Sequence, residues 1–214
     1  MTGATPPVQP AAYRRDADPV TGVALVVAAI RTIVWFPLLT AGTVVLVLLA
    51  GLFSMFWTYG FFLLPRCWSR WHRGCARLIL RQRLVIEGVA PRGPVFFVMK
   101  HESAFETVDL PLLLDRPVVY AKLELFSIPV WGKLARTYGL IPIERSGGSS
   151  AMRQMRSAGL AAIAAGRPLV LFPEGTRVPH GENSSIRAGF AVMYKLLGLP
   201  VVPIYDLKLK DTDL

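Results

Sequence analysis

From residue 32 to residue 64 the chain runs for 33 positions without a charged side chain: TIVWFPLLTAGTVVLVLLAGLFSMFWTYGFFLL. The run exceeds the roughly 20 apolar residues that carry a helix across a bilayer. As one straight helix it would measure about 50 Å, too long for an upright crossing and too short for two. Pro37, Gly42, Gly51 and Gly60 permit bends, so the expectation is either one tilted span or a broken, re-entrant hairpin. A second apolar patch, residues 20–30, precedes Arg31 and extends the anchor. The segment does not read as a cleaved signal peptide, because it starts late, is too long and lacks a small-residue cleavage site.

The flank is as informative as the run. Arg66, Arg70, Arg73, Arg77, Arg81 and Arg83 follow with no acid among them. Such a block favours the cytoplasmic side, where it meets anionic headgroups, and Trp68 and Trp71 suit the interface. The whole chain has the same bias, with 53% hydrophobic residues and a net charge of +10, which points to a membrane protein facing an anionic surface or substrate. A nucleic-acid patch is disfavoured because the arginines abut the hydrophobic anchor. Cys67 and Cys75 match no zinc pattern and read as reduced thiols, and His72, His101 and His180 are too scattered for a metal cluster. Four prolines and mixed charge mark residues 1–19 as a disordered tail. The expected organisation is therefore a tail (1–19), a membrane anchor (20–65), a basic juxtamembrane segment (66–83) and a domain (84–214).

Beyond residue 84 short apolar runs alternate with helical patterns. RLVIEG, PVFFVMK, PVVYAK, GLIPIER, RPLVLFP and PVVPIY read as strands. Helices are expected over residues 103–114, 126–138, 150–165 and 187–197. Such alternation predicts an α/β fold with a mostly parallel central sheet flanked by helices. Functional groups in these folds lie where strands end. Here the strand ends carry Lys100-His101, Lys122, Glu144-Arg145 and Glu174-Gly175-Thr176-Arg177. Lysines and arginines gathered there suit a phosphate.

Four residues separate His101 from Glu106 in HESAFE. Glu106 also completes a Ser-x-x-Glu capping box, with Ser103 as the N-cap. The two roles are compatible, since a carboxylate turned back to the helix start can also orient His101 and balance its charge. No G-x-S-x-G elbow is present, which disfavours a serine hydrolase. The alternative is a substrate that brings its own hydroxyl, with His101 as general base.

Four stretches together resemble the glycerolipid acyltransferases, in particular the bacterial type of 1-acylglycerol-3-phosphate acyltransferase. They are HESAFE, GLIPIER, the intact FPEGTR at residues 172–177, and LPVVPI at residues 199–204. The family's first motif usually ends in Asp, where this chain has Glu106. The resemblance implies acyl transfer from acyl-CoA or acyl-carrier protein to the free hydroxyl of lysophosphatidate, giving phosphatidate, with no cofactor and no metal. It implies His101 as base and Glu106 as its orienting acid. Lys122, Arg177 and Arg145 would bind the phosphate, and Glu174, Gly175 and Thr176 would shape the acceptor pocket. Backbone N–H groups at the Ser103 helix start would serve as oxyanion donors. Membrane lipids are the expected surroundings, in a bacterial inner membrane with the catalytic domain on the cytoplasmic face, and no nucleic acid partner is expected. The chain ends soon after the fourth motif where the family continues, so the domain is read as truncated. Other acceptors (lyso-ornithine lipid, another lysophospholipid, glycerol 3-phosphate) and an inactive lipid-binding protein are the competing readings.

Overall fold

The computed structural model describes residues 22–144, 147–179, 182, 184–204 and 208–211. The apolar run becomes two helices, α1 (Gly22–Phe56) and α2 (Thr58–Cys75), broken at Trp57. They fold back on each other: Trp68 Nε1 donates to Thr43 Oγ1 at 3.0 Å, and the His72 ring lies 6.2 Å from that of Trp35. Gly42 allows the close approach, since a Cβ there would strike the Trp71 indole at 2.1 Å, and Gly60 leaves room for the Trp57 ring at the break, 2.2 Å from where a Gly60 Cβ would lie. The hairpin is unequal, because 35 residues rise about 52 Å and 18 only about 27 Å. Among the residues of α1 only Ala50 is buried, so the helix presents its apolar side chains outward.

The helix α2 runs straight through position 65, so much of the basic segment continues the hairpin's second arm. Its arginines also have partners that the flank alone did not reveal. Arg73 makes a two-pronged ion pair with Asp109, its Nη2 at 2.6 Å from Oδ2, and Asp109 is fully buried. Arg66 Nη2 donates to Asp115 at 2.8 Å. Ser69 Oγ donates to the Val108 carbonyl at 2.5 Å. All three contacts reach α3 (Phe105–Leu113) or the turn after it. Only part of the arginine block is thus left to meet a surface, and Arg70 and Arg77 are the exposed members on the helical arm.

The domain is built on five parallel strands in the order β4-β3-β5-β2-β6. They are β2 (Phe96–Met99), β3 (Val118–Lys122), β4 (Ile141–Ile143), β5 (Leu169–Leu171) and β6 (Val201–Ile204). Phe96 pairs with Leu169 and with Val201, and Val118 pairs with Leu169. All three residues of β5 are buried, as expected for a central strand covered on both faces. The alternation of strands sorts the core into two layers. Phe96, Val118, Tyr120, Leu169 and Leu171 face α5 (Gly148–Ala164) and α6 (Ala188–Leu197). Phe97, Met99, Val119 and Val170 face α3. A third cluster joins the hairpin, through Phe61 and Leu64, to Leu134 and Tyr138 of α4 (Trp131–Tyr138).

Two expectations change. RLVIEG does form a strand, β1 (Gln82–Val85), but it lies outside the main sheet and pairs antiparallel with β7 (Lys208–Asp211). Only residues 86–95 separate it from β2. That connection is too short for the crossover a parallel neighbour needs. The helix expected over residues 126–138 splits into a 3₁₀ turn, Leu123–Ser127, and α4, because Pro129 disfavours helical geometry at Ile128.

The buried ion pair generates a test. Replacing Asp109 by Ala strands the Arg73 guanidinium and should cost about 3 kcal/mol of stability. Guanidinium unfolding in mild detergent would measure it, and a loss below about 1 kcal/mol would show that the part-exposed Arg73 is resolvated once its partner is gone.

Candidate active site

The C-terminal ends of β2, β3, β4 and β5 open into one cleft of about 850 Å³. His101 stands two residues past β2, Lys122 ends β3, and Glu144 follows β4. After β5 comes the FPEGTR turn, in which the Gly175 N–H closes on the Phe172 carbonyl at 3.0 Å. Gly175 has φ of +68°, a conformation that glycine adopts without strain. The Val178 N–H then donates to the His101 carbonyl at 2.8 Å, which stitches the turn to the histidine loop.

His101 and Glu106 are brought together, but not as a hydrogen-bonded pair. Nδ1 of His101 lies 3.9 Å from Oε2 of Glu106, beyond hydrogen-bond reach. The carboxylate is occupied elsewhere. It accepts the N–H groups of Glu102 at 3.1 Å and Ser103 at 2.9 Å, and the Ser103 hydroxyl donates to it at 3.0 Å. Ser103 Oγ in turn accepts the Phe105 N–H at 3.0 Å. The capping reading of Glu106 therefore holds, although α3 begins at Phe105 with Ala104 as its cap residue, later than a Ser103 cap implies. Of the N–H groups at this helix start, those of Glu102 and Ser103 are committed to Glu106.

The His101 ring packs against Phe172 with centroids 4.4 Å apart. Its Nδ1 is enclosed beside Glu106 without a hydrogen-bond partner, which leaves Nε2 as the nitrogen able to meet a ligand in the cleft. Burial pushes the imidazole pKa down from 6.5 to about 4, and the positive charges of Arg177 and Lys122 add to the shift. The ring is neutral at pH 7, the form a general base requires.

Lys122, Gly175, Thr176 and Arg177 line the cleft with His101. Glu174 does not. The Phe172–Gly175 turn directs its side chain inward, and Oε2 is enclosed without a hydrogen-bond partner. Arg145 lies outside the described residues. Sequence reading passed over Arg187, which precedes α6 and also lines the cleft. Its N–H donates to the Pro173 carbonyl at 3.0 Å and its Nε to the Glu174 carbonyl at 3.1 Å, so it braces the FPEGTR turn. The available signal was a lone arginine directly before an apolar helical run. Among the described residues no cluster of His, Cys, Asp and Glu is suited to a metal ion.

On the hairpin side the cleft abuts an apolar pocket of about 200 Å³, and the two share Thr107, Val119, Ala121 and Leu125. Phe61, Leu64 and Trp68 of α2 close its far end.

A strand-end histidine with an acid five positions on thus shares one cleft with Lys122 and Arg177, and the chain belongs to the acyltransferase family, whose sequence pattern matches residues 82–205. It is 28% identical over 193 residues to a 1-acyl-sn-glycerol-3-phosphate acyltransferase of Pseudomonas aeruginosa, covering 83% of this chain and 71% of the relative. It is 35% identical over 150 residues to a lyso-ornithine lipid O-acyltransferase of the same organism, covering 62% and 55%. The crystal structure of the 1-acyl-sn-glycerophosphate (LPA) acyltransferase PlsC from Thermotoga maritima shares the fold, with a TM-score of 0.50 and 20% identity over 77% of this chain and 74% of that one.

The depressed histidine is directly measurable. In the full chain in detergent, the His101 ring signals should titrate near pH 4 by NMR, and Lys122→Met should move the midpoint upward by removing a repelling charge. A midpoint near 6.5 in the unaltered protein would contradict the burial described here.

Proposed function

We propose that this protein transfers an acyl chain from an acyl thioester to the free hydroxyl of 1-acylglycerol 3-phosphate, giving phosphatidate. The observation that carries the reading is the convergence of a neutral His101 with Lys122 and Arg177 in one cleft, close enough for both cations to act on the imidazole. Lys122 and Arg177 hold the acceptor's phosphate, with Arg177 able to grip it bidentately. Fixed there, the acceptor presents its hydroxyl to Nε2 of His101, and positioning alone removes much of the barrier. His101 takes the proton as the oxygen attacks the thioester carbonyl. The tetrahedral intermediate then collapses, and the leaving thiolate recovers the proton. Glu106 sits 3.9 Å from Nδ1, where its charge steadies the imidazolium by field rather than by a hydrogen bond. Gly175 and Thr176 form the wall facing the acceptor, and the neighbouring apolar pocket accommodates an acyl chain.

The hairpin seats this cleft on a membrane. One helix, Gly22–Phe56, is long and apolar enough to cross a bilayer, and Arg70 and Arg77 lie exposed on the second arm. By the charge rule the catalytic domain faces the cytoplasm. A second acceptor, lyso-ornithine lipid, is favoured by the similarity to the lyso-ornithine lipid O-acyltransferase. The paired cations favour a phosphate-bearing acceptor over it.

Membranes containing the protein should acylate lysophosphatidate faster than lyso-ornithine lipid or glycerol 3-phosphate when given acyl-CoA or acyl-carrier protein. Replacing His101 by Ala should lower the rate about 10²- to 10⁴-fold, the usual worth of a general base. Transfer to none of these acceptors would favour an inactive lipid-binding protein, and undiminished turnover by His101→Ala would remove the histidine from the chemistry.

A further inference from the structure

A second depression, of about 530 Å³, lies between α5 and α6 on the face of the sheet opposite α3 and the hairpin. Gly148 and Met152 line both this groove and the catalytic cleft, so the two meet at the start of α5. Further along stand Arg153 and Arg156, with Val192 and Leu196 forming the opposite wall. Arg156 Nε donates to the Leu196 carbonyl at 3.4 Å, which ties its guanidinium across the groove. The sequences of α5 and α6 contain Arg153, Arg156 and Lys195 and no acidic residue. None of these cations is needed for the acceptor's phosphate, for which Lys122 and Arg177 serve.

We infer that this groove binds the nucleotide end of acyl-CoA, with the pantetheine arm entering the cleft past Gly148 and Met152. The inference rests on the acyl-transfer reading. The acceptor and the acyl chains are lipidic and belong on the hairpin side, where the apolar pocket lies. The head of the donor is water-soluble and carries a diphosphate and a ribose phosphate, so it needs a polar, cationic approach from elsewhere. The α5–α6 groove offers two guanidinium groups, Arg153 and Arg156, on an otherwise largely apolar lining that includes Gly148, Met152, Val192 and Leu196. Arg156 lies eight residues beyond Gly148, about 12 Å along the helix, a distance that an extended pantetheine arm covers. Gly148 has no side chain to narrow the passage, and its surroundings are open. Arg153 and Arg156 supply forked donors for the phosphates, while Val192 and Leu196 give apolar contact to the remainder. The occupant is a slender nucleotide rather than a carrier protein, because the cations line a concave groove.

The test uses the full chain in mild detergent, with acyl-CoA and acyl-carrier protein as alternative donors. Arg153→Glu, alone and combined with Arg156→Lys, should raise KM for acyl-CoA about tenfold or more, as loss of a charge-assisted phosphate contact does. KM for lysophosphatidate, kcat and the melting temperature should stay within about twofold or a few degrees of the parent. Arg153 makes no bond that the fold depends on in this groove, so the single variant keeps the test valid if the double variant is unstable. An unchanged KM for acyl-CoA overturns the inference. A rise confined to acyl-carrier protein also overturns it, and makes the face a carrier-protein site instead. If the parent transfers no acyl group to any acceptor, the acyl-transfer reading fails separately. Calorimetric binding of free CoA then decides the groove: binding weakened by Arg153→Glu supports it, and no binding, or binding indifferent to the change, refutes it.

Discussion

Asp109 has no contact with water, and its charge is met by Arg73 on the neighbouring helix. A buried carboxylate of this kind is tolerable only when a hydrogen-bonded partner holds it, so the pair dictates where α2 sits on α3. Much else follows from that placement. The Ser69 and Arg66 contacts fall on the same face of α2, and His72 packs its ring 4.5 Å from that of Phe105 at the start of α3. One turn before Asp109 on the same helix, Glu106 gathers the N–H groups that shape the histidine loop. The second helical arm and the His101 loop are thus linked through one short helix, α3.

The sheet supplies the complementary constraint. Because all five strands run parallel, their C-terminal ends gather on one edge, and loops of different sequence origin converge there. His101, Lys122 and the FPEGTR turn come from three strands, yet Val178 and Arg187 tie the turn both to the histidine loop and to the start of α6. The same sheet separates two environments. An apolar pocket lies toward the hairpin, and a groove carrying Arg153 and Arg156 lies toward α5 and α6.

Most of this architecture was visible in the order of apolar runs. The strands of the main sheet announced themselves because central parallel strands are continuously hydrophobic, as FFVM, VVYA and LVL are. RLVI looked no different, and only the shortness of the link to β2 expels it from the sheet, a property of distance rather than composition. Pro129 was plain in the sequence, but not that the chain after it would bring Gly132 against the Phe126 carbonyl, where no side chain could fit. The site shows the same division. His101, Lys122, Gly175, Thr176 and Arg177 line one cleft, and each ends or follows a strand of the parallel sheet in sequence. The Ser-x-x-Glu spacing announced that Glu106 would take backbone N–H groups, but not that doing so would leave its carboxylate 3.9 Å from His101, beyond a hydrogen bond. Nor could motif spacing show that the arginines at 66 and 73 would face carboxylates, since both acids lie more than thirty residues away in sequence.

The cations that would grip an anionic ligand also weaken the base beside it. Each positive charge near His101 makes its proton easier to lose, and each negative charge placed between them and the ring restores proton affinity. Burial is the larger cause of the depression and the two cations add to it, so an anion held between them and the ring would return part of the lost proton affinity without any movement of the fold.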